Sequence, residues 1–564
     1  MSTMKKTIYL DIETNTAHNI IWCCGVQDGY GTAMMFTDSI GLQELIDSAD
    51  EVVGHNIIGF DAPVLKAVWN VSIPANKQTD TLVLSRLAHA DERRHSLEVW
   101  GEKLKFPKID FHDYDGGLTE EMKGYCAQDV ALTAKLHETL INDLKEFSAR
   151  SIKLEHDVAF ILKQQEVNGF KLDIEKCNDL FLTLEKEMEQ ITERLQLVFP
   201  PECTPRLSEK QTQEFMGKTI PKFNKAKLQP FNVGSRQQIA ERLMLHGVKL
   251  TEKTEKGQLI INEKVLAKLD TPETRLINRY LMLQKRAAQT ESWLKAVSRD
   301  GRVHGRVITN GAITGRMTHL SPNMAQVPAV NVPFGKDCRA CWTVDEDNVL
   351  VGADASGLEL RMLAHYMNDD DYTHEVLSGD IHTANQKAAG LSTRDQAKTF
   401  IYAFLYGAGA GKIGEIVGGS YKKGTELIEA FLENTPALSK LRSKTMSQAS
   451  IQNRKGKATL DGLDGRKLIV RSEHSSLNTL LQGAGAIVMK EALVLLDKAL
   501  KEHTLPHKFV ANVHDEWQIE TPEWAGQAVG LQAVYAIREA GKTLGLKCPL
   551  DGEFKIGKTW ADTH

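Results

Sequence analysis

The chain has 564 residues, of which 69 are Lys or Arg and 74 are Asp or Glu, for a formal net charge of −5. A 25% charged, 42% hydrophobic composition is ordinarily globular and excludes a disordered or fibrous chain. At ~100–200 residues per domain the length predicts about three to five domains. The slightly acidic balance excludes a histone-like polybasic binder but is compatible with a local basic groove for phosphate.

The first residues, MSTMKKTIYL, reach a charge at Asp11, so their apolar run is too short for a secretory h-region. No run attains the ~18 apolar residues that span a membrane. The 8 scattered cysteines fit a reducing compartment, and Cys338-Arg-Ala-Cys341, with no second pair, reads as ordinary cysteines. Residues 7–13 predict a strand; Gly54 to Asp61 and Tyr125 to Ala134 read as parts of the same compact unit. From Ser151 to about Leu197 the pattern is helical, with Leu154, Val158, Ile161 and Leu162 at helical spacing. Residues 198–230 change character and read as a linker or insertion. Their Lys222, Lys225 and Lys227 are either solvated surface or contacts to duplex phosphates. Residues 273–298 return to a long helix, and the rest is expected to alternate strands and helices.

Asp11-Ile12-Glu13 ends the first strand, and residues i and i+2 of a strand share a face. Two carboxylates on one face repel unless a cation lies between them. Asp61 supplies a third acid after an apolar segment. Tyr125 and Asp129, four apart, share a helix face. Four hard oxygen donors suit a pair of Mg²⁺ ions, and two such ions ~4 Å apart promote phosphodiester hydrolysis, with Tyr125 placed to orient water. DIET, NIIGFD and YCAQD resemble, in order, the three motifs of DnaQ-like 3′→5′ proofreading exonucleases, which have an RNase H-like fold.

A second acidic set lies in the C-terminal half. Val349 to Asp354 is an apolar strand ending in an acid, and Ala355-Ser-Gly leads into a helix bearing Glu359 and Arg361. The apolar runs around His514-Asp515-Glu516 predict a β-hairpin with acids at its turn. Asp354 and Asp515 together form a second two-carboxylate candidate site for two metal ions. Between them, Arg394, Lys398, Tyr402 and Tyr406 recur every four residues and form one slowly winding helical stripe, roughly 18 Å long. Cations at one end and aromatics at the other suit a nucleotide. Gly409-Ala-Gly411-Lys-Ile-Gly414 matches GxGxxG formally but follows a helix rather than a strand, so it is read as the turn after the stripe.

DASGLELR, RDQAKTFIYAFLYG and VHDE resemble motifs A, B and C of family A (Pol I-type) DNA polymerases, and most resemble the replicative polymerases of T-seven-type bacteriophages. Thr314-Gly315-Arg316, Asn323 to Pro328, Gly379 to Thr383 and Leu477 to Gln482 extend the resemblance over roughly 7–135 and 275–560. It implies a multidomain α/β chain: an RNase H-like exonuclease over 1–150, thumb and connecting helices over 151–335, palm over 336–380 and 490–564, and fingers over 381–489. It implies Mg²⁺ (or Mn²⁺), two per active site, on Asp354, the Ala355 carbonyl and Asp515, and on Asp11, Glu13, Asp61 and Asp129. Arg394, Lys398 and His382 would hold the triphosphate, with Lys398 as general acid. Glu359 would exclude a ribose 2′-hydroxyl. Tyr402 would sense the 3′-hydroxyl and Tyr406 would stack under the templating position. Arg316, Gln482 and His514 would touch the minor groove or primer, whose acceptors are common to all correct pairs.

The implied partners are primer-template DNA and dNTPs, with a phage helicase-primase or single-stranded DNA-binding protein as candidates, no membrane, and the cytoplasm of an infected bacterium as the setting. In the phage relatives a large thumb insertion recruits thioredoxin; the matching stretch, 198–230, is much shorter here, which argues against that clamp. No 5′-nuclease domain is expected before the exonuclease. A single-subunit RNA polymerase shares the palm, but the proofreading motifs and Glu359 argue against it. A non-catalytic scaffold would lack acids that are all present.

Overall fold

A computed structural model of the chain describes residues 5–29, 31–204, 227–254, 257–453 and 457–564. Lys222 and Lys225, and most of the segment read as a linker or insertion, lie outside the described residues, and of Lys227 only the backbone falls within them. The chain divides into two compact units. One comprises Met1–Phe170, His304–Gln326 and Val344–His564; the other comprises Lys171–Val303 and Val327–Thr343.

Among the described residues, the first unit is built on two larger sheets, of five and four strands, in addition to two two-stranded ones. Alternation places Ile8, Leu10 and Ile12 of β1 (Thr7–Thr14) in the core. Around it, β2 (Ile21–Asp28), β3 (Met34–Phe36), β4 (Glu51–Gly54) and β5 (Gln78–Asp80) complete a sheet of order 3-2-1-4-5. β2 runs antiparallel to β1 and β3, whereas β1, β4 and β5 are parallel. Helix α1 (Glu120–Asp143) starts where the Thr119 side chain accepts from Met122 N, and it packs on β1 and β2. The approach is close: a Cβ on Gly25 of β2 would sit 2.9 Å from Cys126 Sγ and 3.0 Å from Val130.

Helix α2 (Ala149–Asn168) ends at Gly169, whose φ of 61° turns the chain into a short strand, Phe170–Leu172. The single helical run expected from 151 to 197 is therefore two helices. The apolar spacing is helical on both sides, and one glycine breaks it.

The second sheet follows β6 (Asn348–Ala355). After it come α3 (Leu358–Met367) and a succession of helices to 453, including α4 (Arg394–Leu405). Strands were expected to alternate here, yet among the described residues 356–453 are without one. Ala397, Phe400, Ile401, Phe404 and Leu405 show why: they are buried at helical, not strand, spacing. α5 (Ser476–Glu502) precedes β7 (Lys508–Val513) and β8 (Glu516–Pro522); α6 (Gly526–Thr543) precedes β9 (Gly552–Gly557). The antiparallel order is β7-β8-β6-β9. α6 lies against β6 and β9, where a Cβ on Gly530 would strike the Phe554 ring. By length and composition the helical stretch 473–502 could cross a membrane, but its apolar window is 72% buried within the protein. It is core, built on Leu481, Ala484, Ile487, Val488 and Leu496.

In the second unit, helices Ile174–Val198 and Pro272–Ala296 pack together. The Arg279 guanidinium grips Glu187 with two bonds of 2.6 and 2.9 Å. Trp293 meets Trp342 edge-on, with both fully buried. Cys177, Cys338 and Cys341 are free buried thiols of this unit.

Candidate active sites

The first candidate site forms where β6 ends and the β7–β8 hairpin turns. Val513 pairs with Glu516, so His514 and Asp515 make a two-residue turn, with His514 at φ 58°. In β6, Asp354 pairs with Glu516 on one side and Glu553 on the other, and Ala355 N donates to the Asp515 carbonyl at 3.1 Å. Strand end and turn are thereby fastened together. Burial, then Asp515, Glu516, Glu553 and Glu359, push the Asp354 carboxyl up to about 8. Burial, then Glu359, push Asp515 up to about 6. Glu516 is occupied elsewhere: Trp560 Nε1 and Gln518 Nε2 donate to its Oε1 at 2.6 and 2.5 Å.

Arg316, Leu358, Glu359, Gly485, His514 and Asp515 line one pocket. In it the Glu359 Oε1 accepts from Tyr406 Oη at 2.7 Å and from Arg316 at 3.3 Å. The Arg316 guanidinium lies 5.9 Å from the Tyr406 ring centre. Tyr402 and Tyr406 stack at 6.5 Å. Gln482 is half-buried, one turn before Gly485 on α5. Burial, then Arg316, lower His514.

On α4, Thr393 caps the helix through Gln396 N, and Arg394 and Lys398 are exposed. Tyr406 is the residue that ends it. Arg394 Nε bonds Asp380 Oδ2 at 2.8 Å, holding Asp380 well below the usual carboxylate range. Asp380 also caps the helix Ile381–Ala389 by accepting from His382 N and Thr383 N. The His382 ring lies 6.2 Å from Tyr402, and its buried Nδ1 has no hydrogen-bond partner among the described residues. Asp380 as the partner of Arg394 was not foreseen; its cap position is legible in sequence, the pairing is not.

The second candidate site lies on the first sheet. Asp11 and Glu13 share a face of β1, and their carboxylate oxygens and Cys126 Sγ all lie within 4.8 Å of one another. Cys126 Sγ donates to the Asp11 carbonyl at 3.6 Å. Asp61, at the start of a short helix, accepts from Ile12 N at 3.2 Å. Tyr125 and Asp129 lie one turn apart on α1, and Tyr114 donates to the Tyr125 hydroxyl at 3.4 Å. Burial, then Asp61, Glu13 and Asp129, raise Asp11 well above its ordinary value. Burial, then Asp129, push Glu13 up to about 8; burial pushes Asp61 up to about 7. Burial also raises Asp129, against the pull of Lys108. Lys108 Nζ is 2.5 Å from Asp129 Oδ2 and 4.7 Å from the Tyr125 ring centre. Asp129 Oδ1 is buried without a hydrogen-bond partner among the described residues. Cys126 and Lys108 were not anticipated. Cys126 stands inside YCAQD and was open to notice; Lys108 sits in an irregular segment with no pattern to mark it.

Both sites gather acids whose carboxyls burial raises: on a strand end and a turn in the first, on a strand end and two helices in the second. The fold is that of a Pol I polymerase. The whole chain is similar to the solved POL domain of Pol1 from M. smegmatis in complex with DNA primer-template and dNTP, at a TM-score of 0.80, 18% identity and 97% coverage of that structure. Residues 204–562 match the model for DNA polymerase family A, and the chain belongs to that family. It is 34% identical to the DNA-directed DNA polymerase of Escherichia phage T7, over 99% of this chain and 100% of the relative. It is 34% identical to that of Enterobacteria phage T3, over 91% of this chain and 92% of the relative.

Proposed function

We propose that this family A polymerase extends a primer 3′-hydroxyl at the Asp354–Asp515 site and removes mispaired 3′ ends at the Asp11–Glu13 site. The observation that carries the reading is the convergence of Asp354 and Asp515, from distant parts of the chain, beside a pocket containing Arg316, Glu359 and His514. The 3-2-1-4-5 sheet with α1 on its face supports an RNase H-like exonuclease over 1–150. We assign thumb to 151–335, palm to 336–380 and 490–564, and fingers to 381–489.

The donor sets fit hard divalent cations. All are oxygens apart from Cys126, the acids resist ionising without a counter-charge, and Asp129 Oδ1 is an orphaned buried acceptor. Asp354, the Ala355 carbonyl and Asp515 would hold one pair of Mg²⁺ or Mn²⁺ ions, and Asp11, Glu13, Asp61 and Asp129 the other, supplying Lewis-acid stabilisation of entering and leaving oxygens. The protein's own groups do the rest. Arg394, Lys398 and His382 bind the triphosphate, and Lys398 gives a proton to the departing pyrophosphate. Arg394 exchanges Asp380 for phosphate when nucleotide arrives. Tyr402 faces the incoming sugar, Tyr406 supports the templating base, and Glu359 occupies the space beside C2′. Arg316, Gln482 and His514 test the shape of the nascent pair through minor-groove acceptors. At the second site Tyr125 orients the attacking water.

Primer-template DNA and dNTPs are the substrates on this reading, in the cytoplasm of an infected bacterium, with a helicase-primase or single-stranded DNA-binding protein as partners. The alignment to the T7 relative runs over 705 positions against 564 residues here, so that relative has segments this chain lacks. A shorter insertion at residues 198–230 without a thioredoxin clamp is our reading of where one such segment falls. Primer extension with dNTPs and with rNTPs tests the proposal. Extension should require a template, prefer dNTPs and vanish in Asp354→Asn and in Asp515→Asn. Equal use of rNTPs would sink it.

A further inference from the structure

Four acids gather at the second site, and one cation is already among them. Lys108 is not a stray surface lysine. Its segment is fastened to the domain: Gln128 Nε2 of α1 donates to the Pro107 carbonyl at 2.8 Å, and Phe106 N donates to Gly101 O at 2.8 Å. This places the Lys108 ammonium 2.5 Å from Asp129 and 4.7 Å from the centre of the Tyr125 ring, a residue already given the task of orienting water. Its charge also reaches Asp11 and Glu13, lowering both against the burial that raises them.

The charges then decide what this lysine can do. Four ionised carboxylates carry four negative charges, and two divalent ions cancel them. Lys108 is left as a surplus positive charge. A phosphodiester at the 3′ end of a strand carries one negative charge and restores the balance. A divalent ion on one oxygen of Asp129 and the ammonium on the other repel each other in a low-dielectric site, so metal binding loosens the hold of Lys108 on the carboxylate. Asp129 Oδ1 is free to receive a cation, but Oδ2 is held by Lys108.

We propose that Lys108 is an exchangeable counter-ion of the proofreading site. It neutralises Asp129 in the metal-free site, yields that carboxylate to a divalent ion, and then holds the non-bridging phosphate oxygen of the single-stranded 3′ end. Lys108 thereby opposes metal binding and favours DNA binding. The inference rests on the exonuclease reading above.

The two effects have opposite signs, which a merely structural role would not produce. The full chain with Asp354→Asn and Asp515→Asn, which silences the other acidic site, serves as the parent. Adding Lys108→Met should tighten Mn²⁺ binding, read from the EPR signal of free Mn²⁺, on the order of tenfold. In Ca²⁺ the same change should weaken binding of a fluorescent oligo-dT 3′ end by a comparable factor, read by anisotropy. Lys108→Arg keeps the charge and should restore most of both. If Asp11→Ala with Glu13→Ala removes no Mn²⁺ site from the parent, the exonuclease reading fails, and this one with it. If that pair does remove Mn²⁺ sites, the counter-ion role alone is overturned by a Lys108→Met protein with unchanged or weaker Mn²⁺ binding, or with unchanged oligo-dT binding.

Discussion

Glu359 accepts hydrogen bonds from both Tyr406 and Arg316, so it is held in one orientation at the mouth of its pocket. A fixed carboxylate is a better steric and electrostatic barrier to a 2′-hydroxyl than a mobile one. Glu359→Ala should relax discrimination of dNTP over rNTP by about 10–100-fold, the worth of one lost pocket contact. The ratio of single-nucleotide kcat/KM values measures this, and an unchanged ratio removes Glu359 from the role. The motif made Glu359 visible in sequence, but its partners were not, since Arg316 and Tyr406 meet it only through the fold. Asp354 carries a different consequence. Its carboxyl, raised to about 8 from 3.8, binds a proton in the folded state that the unfolded chain has released. In metal-free protein its contribution is therefore favourable below about pH 4 and is lost as pH rises through about 8. Asp354→Asn should remove that penalty, raising the Tm in EDTA by a few degrees at pH 8 and by less at pH 6. Melting curves at the two pH values with equal gaps would contradict the sign.

Elements show where sequence reading succeeded and where it stopped. Acids at strand ends were legible because a strand's two-residue period fixes which side chains share a face, and β1 and the β7–β8 hairpin obey it. The break at Gly169 was not, because the apolar spacing continues across it. Nor was the joint among α2, α5 and the hairpin of Thr459–Asp461 with Lys467–Ile469. There the fully buried Glu155 accepts from Lys490 at 2.5 Å and from Arg466 at 2.6 Å, and Arg466 also holds Asp464. Burial alone would raise Glu155, yet Lys490 and Arg466 hold it down to about 2. Glu155→Ala strands the buried Lys490 and leaves Arg466 with Asp464 alone, and should cost about 3–5 kcal/mol, read as a fall in denaturant midpoint. A loss under about 1 kcal/mol would mean that water or relaxation shields the pair. The two acidic sites rest on different sheets, β1 in one and β6 with β8 in the other. Asp11→Ala with Glu13→Ala should thus lower 3′→5′ degradation by about 100-fold or more, with primer extension kept within about twofold. A correctly folded double variant that no longer extends primers would undo the two-site assignment.

At the scale of the whole molecule the question is how long the chain stays on DNA. Phosphate contacts hold a duplex, and their strength falls steeply with salt. A chain of net charge −5 relies on local cations rather than on an overall positive field. The exposed Arg394 and Lys398 are committed to nucleotide on the proposed reading, and Arg394 is already paired with Asp380. If residues 198–230 are a shortened thumb insertion, as proposed above, little is left to encircle the duplex. The purified chain should therefore extend primers in short runs, shortening further between about 50 and 200 mM salt. Added thioredoxin should change little. Lys222, Lys225 and Lys227 lie in or beside residues outside the described structure, so sequence alone makes them candidates for phosphate contacts. Neutralising all three should shorten runs and flatten their dependence on salt, because each phosphate contact removed takes its share of the salt slope with it. Product lengths in single encounters, with a DNA trap present, measure both effects. Long products without a partner, or a large increase with thioredoxin, would show that residues 198–230 form a working clamp site after all.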